Sequence, residues 1–149
     1  MKVIRKGVFE TNSSSSHSIS ISGEDDYYFA EEEINELVIT YGEYGWGYEV
    51  LSTINDKLSY IVTMIKEKYD EKYLDWLKDL VKEYLGAELK IEKLNGFYEK
   101  GYIDHQSHNI LDEYFLNNKE EFKEKMKDLI FNNKYSIIID NDNSPGGVY

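Results

Sequence analysis

Apolar side chains recur every three to four residues in two consecutive segments near the middle of the chain. They are Ile54, Leu58, Ile61, Val62 and Ile65 in the first segment and Leu74, Leu77, Leu80, Val81 and Leu85 in the second. This period predicts two amphipathic helices, the first over about residues 52–69, with Lys and Glu on the solvent faces. Asp70 is placed to cap the second helix and Gly86 to end it.

A third helix is predicted in the last quarter of the chain. Asn118 and Glu121 have the spacing of a capping pair at its start. Its buried side is expected to consist of Phe122, Met126, Leu129 and Ile130. Shorter helical pieces are predicted near residues 110–116 and as one turn within residues 30–35.

Alternating or continuous apolar runs predict the strands. They cover residues 2–9, 17–22, 37–41, 89–93 and 135–139. The first two are expected to form a hairpin or neighbouring strands, and the last, nearly all apolar, to be central. Asn95 and Gly96 predict a turn after which residues 97–103 return beside residues 89–93. Together the elements predict an α+β fold in which residues 1–149 form a single compact domain, with a small, mainly antiparallel sheet packed by three to four helices.

The amino-acid composition excludes several classes of protein and of site. The chain has 149 residues, 15% of them aromatic, with a single Pro and no Cys. The aromatic content argues against disorder, because disordered chains have few rings to bury. The absence of Cys excludes disulfides, thiolate nucleophiles and zinc sites built on sulfur.

The formal net charge of −12 bears on partners and on location. It disfavours direct nucleic-acid binding unless basic groups are segregated onto one face, and it would suit a surface that imitates nucleic acid. No apolar run approaches a membrane span, and the first residues lack the apolar stretch of a signal peptide. We therefore expect a soluble protein of the cytoplasm that does not enter a membrane, with its oligomeric state left open.

Three polar loops are candidates for chemistry, because loops held by a rigid frame often carry function. The first contains Thr11, Asn12, Ser13, Ser14, Ser15 and His17. Its hydroxyls and amides could cradle an anion, and His17 could donate a proton or bind a metal. A flexible serine turn with no ligand remains the alternative.

The second loop, residues 104–108, contains two histidines and a carboxylate. His105 and His108 could bind a divalent metal, or Asp104 could orient His105 as a general base, and a polar surface loop is the alternative. The third loop alternates Asp140 and Asp142 with asparagines, a pattern that suits Mg²⁺ or Ca²⁺ and equally a simple chain reversal.

Four segments together carry a resemblance. The stretch over residues 5–18 reads RKGVFETNSSSSHS, and residues 42–46 read GEYGW. Residues 103–107 read IDHQS, and residues 140–143 read DNDN. In this order they resemble a family of small, uncharacterised proteins from bacteriophages and mobile elements of Gram-positive bacteria. The resemblance implies a phage origin and a shared site, and it implies no particular reaction.

The leading hypothesis is a phage or mobile-element accessory protein that binds a small anionic ligand such as a nucleotide, with action against host defence as one candidate role. Its pocket would combine Glu43, Asp104, His105, Asp140, Asp142 and His17, with Trp46 and Ser107 as further ligand-binding residues. One alternative is a metal-dependent hydrolase, with Asp140, Asp142 and His105 as ligands of a divalent cation and Glu43, Asp104 and His105 in catalysis. Another is an acidic inhibitor of a host defence protein that acts by surface mimicry of nucleic acid.

Overall fold

The computed structural model describes residues 15–30, 32–103 and 111–141. Within them the strands are β1 (Ser15–Ile21), β2 (Glu36–Thr40), β3 (Glu43–Tyr44), β4 (Glu49–Leu51), β5 (Glu88–Glu92), β6 (Tyr102–Ile103) and β7 (Tyr135–Asn141). The helices are α1 (Ile54–Lys68), α2 (Lys72–Leu85) and α3 (Lys119–Phe131). The predicted α+β class is confirmed. The predicted strand over residues 2–9 lies outside the described residues.

The helix ends follow the chemistry of the capping residues. The Thr53 hydroxyl accepts from the Asp56 amide at 3.1 Å, and the Asn118 side chain accepts from the Glu121 amide at 3.0 Å. The Asp70 carboxylate accepts from the Lys72 amide at 2.9 Å. Gly86 ends α2 with a φ of 72°, a left-handed conformation that glycine adopts without strain. The predicted start of α3 and the predicted end of α2 are therefore confirmed, whereas the N-cap residue of α2 is Glu71 and Asp70 lies one residue before it.

The strands divide among three small sheets. The order β1-β7-β4 forms an antiparallel sheet with β7 in its centre, as the apolar character of β7 predicts. The pairs β2–β5 and β3–β6 are parallel. The chain between β5 and β6 turns at Asn95 and Gly96, but it does not form a hairpin. The predicted return of residues 97–103 beside residues 89–93 is therefore wrong, since β6 pairs with β3 instead.

Two further local predictions are wrong for the residues that the structure describes. Residues 32–35 contain no helical turn and lead into β2. Residues 111–114 form a turn, in which the Tyr114 and Phe115 amides donate to the Leu111 carbonyl, rather than a helix. Both segments are too short for helix propensity to exceed the cost of nucleation.

One hydrophobic core joins the three helices and the sheets. Its fully buried members include Leu58, Ile61, Leu77, Phe122, Met126, Ile137 and Ile139. The predicted apolar faces of α1, α2 and α3 therefore meet in the interior. None of the described helices is long and apolar enough to cross a membrane.

A buried lysine joins α1 to the end of α3. Lys57 is 1% exposed, and its ammonium group donates to the carbonyls of Asn132 at 3.4 Å and Tyr135 at 3.1 Å. Burial lowers the pKa of Lys57 to about 8. Because α3 has no basic residue in its last turn, this ammonium group supplies the positive charge that a helix C-terminus favours.

Candidate functional site

The described residues of the four segments that carry the resemblance lie in two pairs of strands. β1 contains the end of the serine run and lies beside β7, with Ser15 opposite Asn141 and Ser16 opposite Asp140. β3 belongs to the glycine-rich segment and lies beside β6, with Tyr44 opposite Ile103. The fold therefore places the last residues of the serine run beside Asp140 and Asn141. It also pairs the glycine-rich segment with the strand that leads into residue 104.

Helix α1 links these two pairs through a chain of buried rings. The His17 Nδ1 atom lies 2.7 Å from the Tyr60 hydroxyl. The rings of Tyr60 and Tyr44 pack in a T-shaped arrangement with their centroids 5.2 Å apart. The Tyr44 hydroxyl then donates to the Ser59 hydroxyl at 2.7 Å. Burial raises the pKa of Tyr44 to about 12 and raises the pKa of Tyr60 further. Both phenols are therefore neutral in the physiological range.

Among the predicted site residues whose side chains the structure describes, His17 is the least exposed, at 4%. Burial lowers its pKa to about 4, so the imidazole is neutral at pH 7. If the Tyr60 hydroxyl donates to Nδ1, the proton of the ring lies on Nε2. Nε2 has no hydrogen-bond partner among the residues that the structure describes. His17 is thus a neutral donor within the protein rather than an accessible general base.

The predicted pocket does not bring its described members to one face. Side chains alternate along a strand, so His17 points inward with Ile139, whereas Asp140 is exposed on the opposite face of the sheet. Glu43 is also exposed, on the outer side of β3, while the adjacent Tyr44 is buried. The expectation that Glu43, His17 and Asp140 line one pocket is corrected by this alternation.

The other predicted site residues lie outside the described residues. They are Thr11, Asn12, Ser13, Ser14, Asp104, His105, Ser107 and Asp142. Ser15 lies at the start of β1, with its backbone opposite Asn141. The roles assigned to these residues stay predictions. In the described part of the chain, no group of three His, Cys, Asp or Glu side chains could hold a metal ion.

An exposed row of aromatic rings lies on the outer side of the β3–β6 pair. Trp46 stacks on Tyr102 with ring centroids 5.4 Å apart, and Tyr102 stacks on Tyr98 at 4.8 Å. Phe97 contacts Tyr98 edge-on at 4.9 Å. We call Trp46, Tyr102, Tyr98 and Phe97 the aromatic row. Trp46 is 54% exposed and Phe97 is 90% exposed, so both ends of the row are open to solvent.

Glycines at two positions make this row possible. Gly101 has a φ of 79°, and a Cβ atom there would lie 2.5 Å from the Gly42 carbonyl oxygen. The absence of that atom lets the Tyr102 amide donate to the same carbonyl at 3.0 Å. The close approach of Gly101 and Gly42 therefore sets Tyr102 beside the turn that carries Trp46.

Lys66 and Lys93 lie close to Lys100, and we call Lys66, Lys93 and Lys100 the lysine cluster. Repulsion by Lys66 and then by Lys93 lowers the pKa of Lys100. Lys93 forms an exposed ion pair with Glu99 at 3.6 Å, and Lys66 forms one with Glu71 at 3.7 Å. The cluster is therefore a local group of lysines whose positive charge is partly balanced by Glu99 and Glu71.

Sequence reasoning identified Trp46 but missed the rest of the row and the lysines. It assigned residues 97–103 to a strand, which would have sent neighbouring rings to opposite faces. The available signal was three aromatic residues between Gly96 and Ile103, flanked by Lys93 and interrupted by Lys100. Such interleaving of rings and lysines is typical of surfaces that bind nucleotides.

A groove of about 400 Å³ lies along α3 and has a different character. It is lined by Leu116, Glu120, Glu121, Glu124, Lys125 and Asp128. Four carboxylates and one ammonium group give it a negative charge, which disfavours an anionic ligand. This groove is consequently no candidate for the predicted nucleotide site.

No family model matches the chain, and searches of curated proteins and of solved structures find no match either. Function must therefore be argued from the side chains themselves.

Proposed function

We propose that the protein binds a small anionic ligand with a planar ring, of the nucleotide class, at the aromatic row and the lysine cluster. One observation carries this proposal: an exposed tryptophan is already stacked on Tyr102, and Lys100, two residues before Tyr102, lies close to Lys66 and Lys93. The ring of the ligand extends the stack at Trp46, and its phosphate contacts the lysines.

The energetics favour a stacked ligand over an empty surface. A base stacked on an aromatic side chain contributes about 1–3 kcal/mol by alanine substitution, and every base has a ring face that can stack. Trp46 is held by Tyr102 and needs little ordering, which reduces the entropy lost on binding. A phosphate near Lys100 would also relieve the repulsion among the lysines.

The biological role follows from the resemblance to phage proteins. Capture of a nucleotide signal is one way for a small phage protein to act against host defence. The serine loop and residues 104–107 remain candidates for additional ligand contacts, since β6 ends at Ile103, directly beside the row.

Titration with AMP, followed by tryptophan fluorescence and by calorimetry, tests the proposal. Trp46→Ala should weaken AMP binding by about 5- to 150-fold, the range that 1–3 kcal/mol corresponds to. Tyr48→Ala is the matched control, because Tyr48 is a similarly exposed ring two residues away that does not belong to the row. Lys100→Gln should also weaken binding, and Lys78→Gln, an exposed lysine on α2, should not.

The proposal fails if the unmodified protein binds no nucleotide in either assay. It also fails if Trp46→Ala and Tyr48→Ala have equal effects, because binding would then lie elsewhere on the surface.

A further inference from the structure

The aromatic row has a second open end, at Phe97. This side chain is 90% exposed, so the folded chain gains no stabilisation from burying this ring. The turn that carries it is well defined: the Leu94 amide donates to the Glu99 carbonyl at 2.7 Å, and Gly96 has a φ of 108°. Phe97 is therefore presented on a closed turn rather than on a loose loop.

One base cannot contact both ends of the row. Two rings, Tyr102 and Tyr98, separate Trp46 from Phe97, with successive centroids 5.4, 4.8 and 4.9 Å apart. Stacked bases of one strand follow each other at about 3.4 Å and can be drawn further apart. Several linked nucleotides can thus reach both open rings.

The lysine cluster follows the same course. Lys93 precedes the Phe97 turn and Lys100 follows it, while Lys66 approaches from α1. The ion pairs of Lys93 and Lys66 are exposed and contribute little, so phosphates can compete for these lysines. Lysines therefore lie on both sides of the Phe97 turn along the chain, and these are the groups that the phosphates of a backbone would contact.

We infer that the natural ligand is a single-stranded oligonucleotide, with one base stacked on Trp46, another on Phe97, and the linking phosphates at the lysine cluster. This inference rests on the proposed function and names its ligand class. The expectation against direct nucleic-acid binding rested on the net charge of the whole chain, whereas binding depends on the local charge.

Affinity for thymidylate and for its dimer, tetramer and octamer tests the inference. Binding should tighten at least tenfold from the mononucleotide to the tetramer. Phe97→Ala should lower the ratio of octamer to mononucleotide affinity at least fivefold. Phe29→Ala is the matched control, because Phe29 is an exposed phenylalanine, 75% exposed, that belongs to a different aromatic group with Tyr84.

Salt dependence gives an independent readout. For single strands the logarithm of the affinity falls with the logarithm of the salt concentration by about 0.7 per neutralised phosphate. Lys100→Gln should therefore reduce the slope for the octamer by about 0.7, and Lys78→Gln should leave it unchanged.

The outcomes separate the two proposals. Nucleotide binding that does not tighten with length, with Phe97→Ala and Phe29→Ala equivalent, would overturn the oligonucleotide and leave the nucleotide site standing. Equal affinity for duplex and single-stranded octamers would also overturn it, because duplex bases cannot stack on the rings. If none of the probes binds, both proposals fall.

Discussion

Acidification should lower the free energy of unfolding, because His17 is buried in its neutral form. The imidazole is 4% exposed, and burial lowers its pKa from the ordinary value of 6.5 to about 4. Between these two pH values the unfolded chain binds a proton at His17 that the folded chain does not. The free energy of unfolding therefore falls as the pH decreases from 6.5 to 4.

The size of the effect follows from the shift. Each pH unit within this window corresponds to 1.36 kcal/mol, so His17 accounts for at most about 3 kcal/mol. The groups that face His17 do not compensate an imidazolium: Tyr60 from α1 is a neutral phenol, and Glu49, in the same row of the sheet, has a pKa raised by burial. The loss should therefore be close to that limit.

Urea unfolding at pH 7 and at pH 4.5 measures the effect. The natural protein should lose about 2–3 kcal/mol more over this interval than His17→Gln, which keeps an acceptor for Tyr60 but cannot titrate. Subtracting the two cancels the carboxylates common to both proteins. Tyr60→Phe, which keeps His17, should retain most of the pH dependence. Equal losses in the natural protein and His17→Gln would refute a buried, neutral His17.

Two further predictions concern the frame around the site. Lys57 has a pKa of about 8 in the folded protein against 10.5 in the unfolded chain, so its contribution to the free energy of unfolding rises between those pH values. Urea unfolding at pH 8 and at pH 9.5 should show a gain of about 2 kcal/mol that Lys57→Met lacks. An equal gain in both proteins would contradict this prediction. Gly101→Ala should destabilise the protein by about 2–4 kcal/mol in thermal unfolding, because the added Cβ would meet the Gly42 carbonyl and Thr63. Gly23→Ala is the control, since Gly23 has a φ of 73° and nothing within 4 Å of the added Cβ, and it should lose only about 1–2 kcal/mol. Equal losses in the two variants would argue against a tight contact at Gly101.

The sequence predicts those elements whose conformation depends mainly on residues within the element itself. The period of Ile54 to Ile65, the capping side chain of Asn118 and the left-handed Gly86 are local signals, and the structure confirms all three. The central position of β7 also followed from its own apolar residues. Burial and capping are properties of short segments, which is why one sequence sufficed.

The choice of strand partner, and the direction in which a strand's side chains point, depend on contacts between residues that are distant along the chain. Nothing within residues 88–103 specifies that β5 pairs with β2, or that β6 pairs with β3, at the expense of a hairpin. The same limit applies to the site. Ser16 and Asp140 become neighbours across two strands, but this pairing turns the Asp140 carboxylate away from His17.

The two faces of the β3–β6 pair have complementary roles in the proposed site. On the inner face, Tyr44 contacts Tyr60, which contacts His17, so the pair is joined to α1 and β1 by buried rings. On the outer face, the Tyr102 ring stacks against the Trp46 ring. Because side chains alternate along a strand, immobilising Tyr44 and Ile103 also fixes Tyr102 beside them. The buried histidine and tyrosines then stabilise a rigid platform, and a ligand that stacks on Trp46 need not order the platform first.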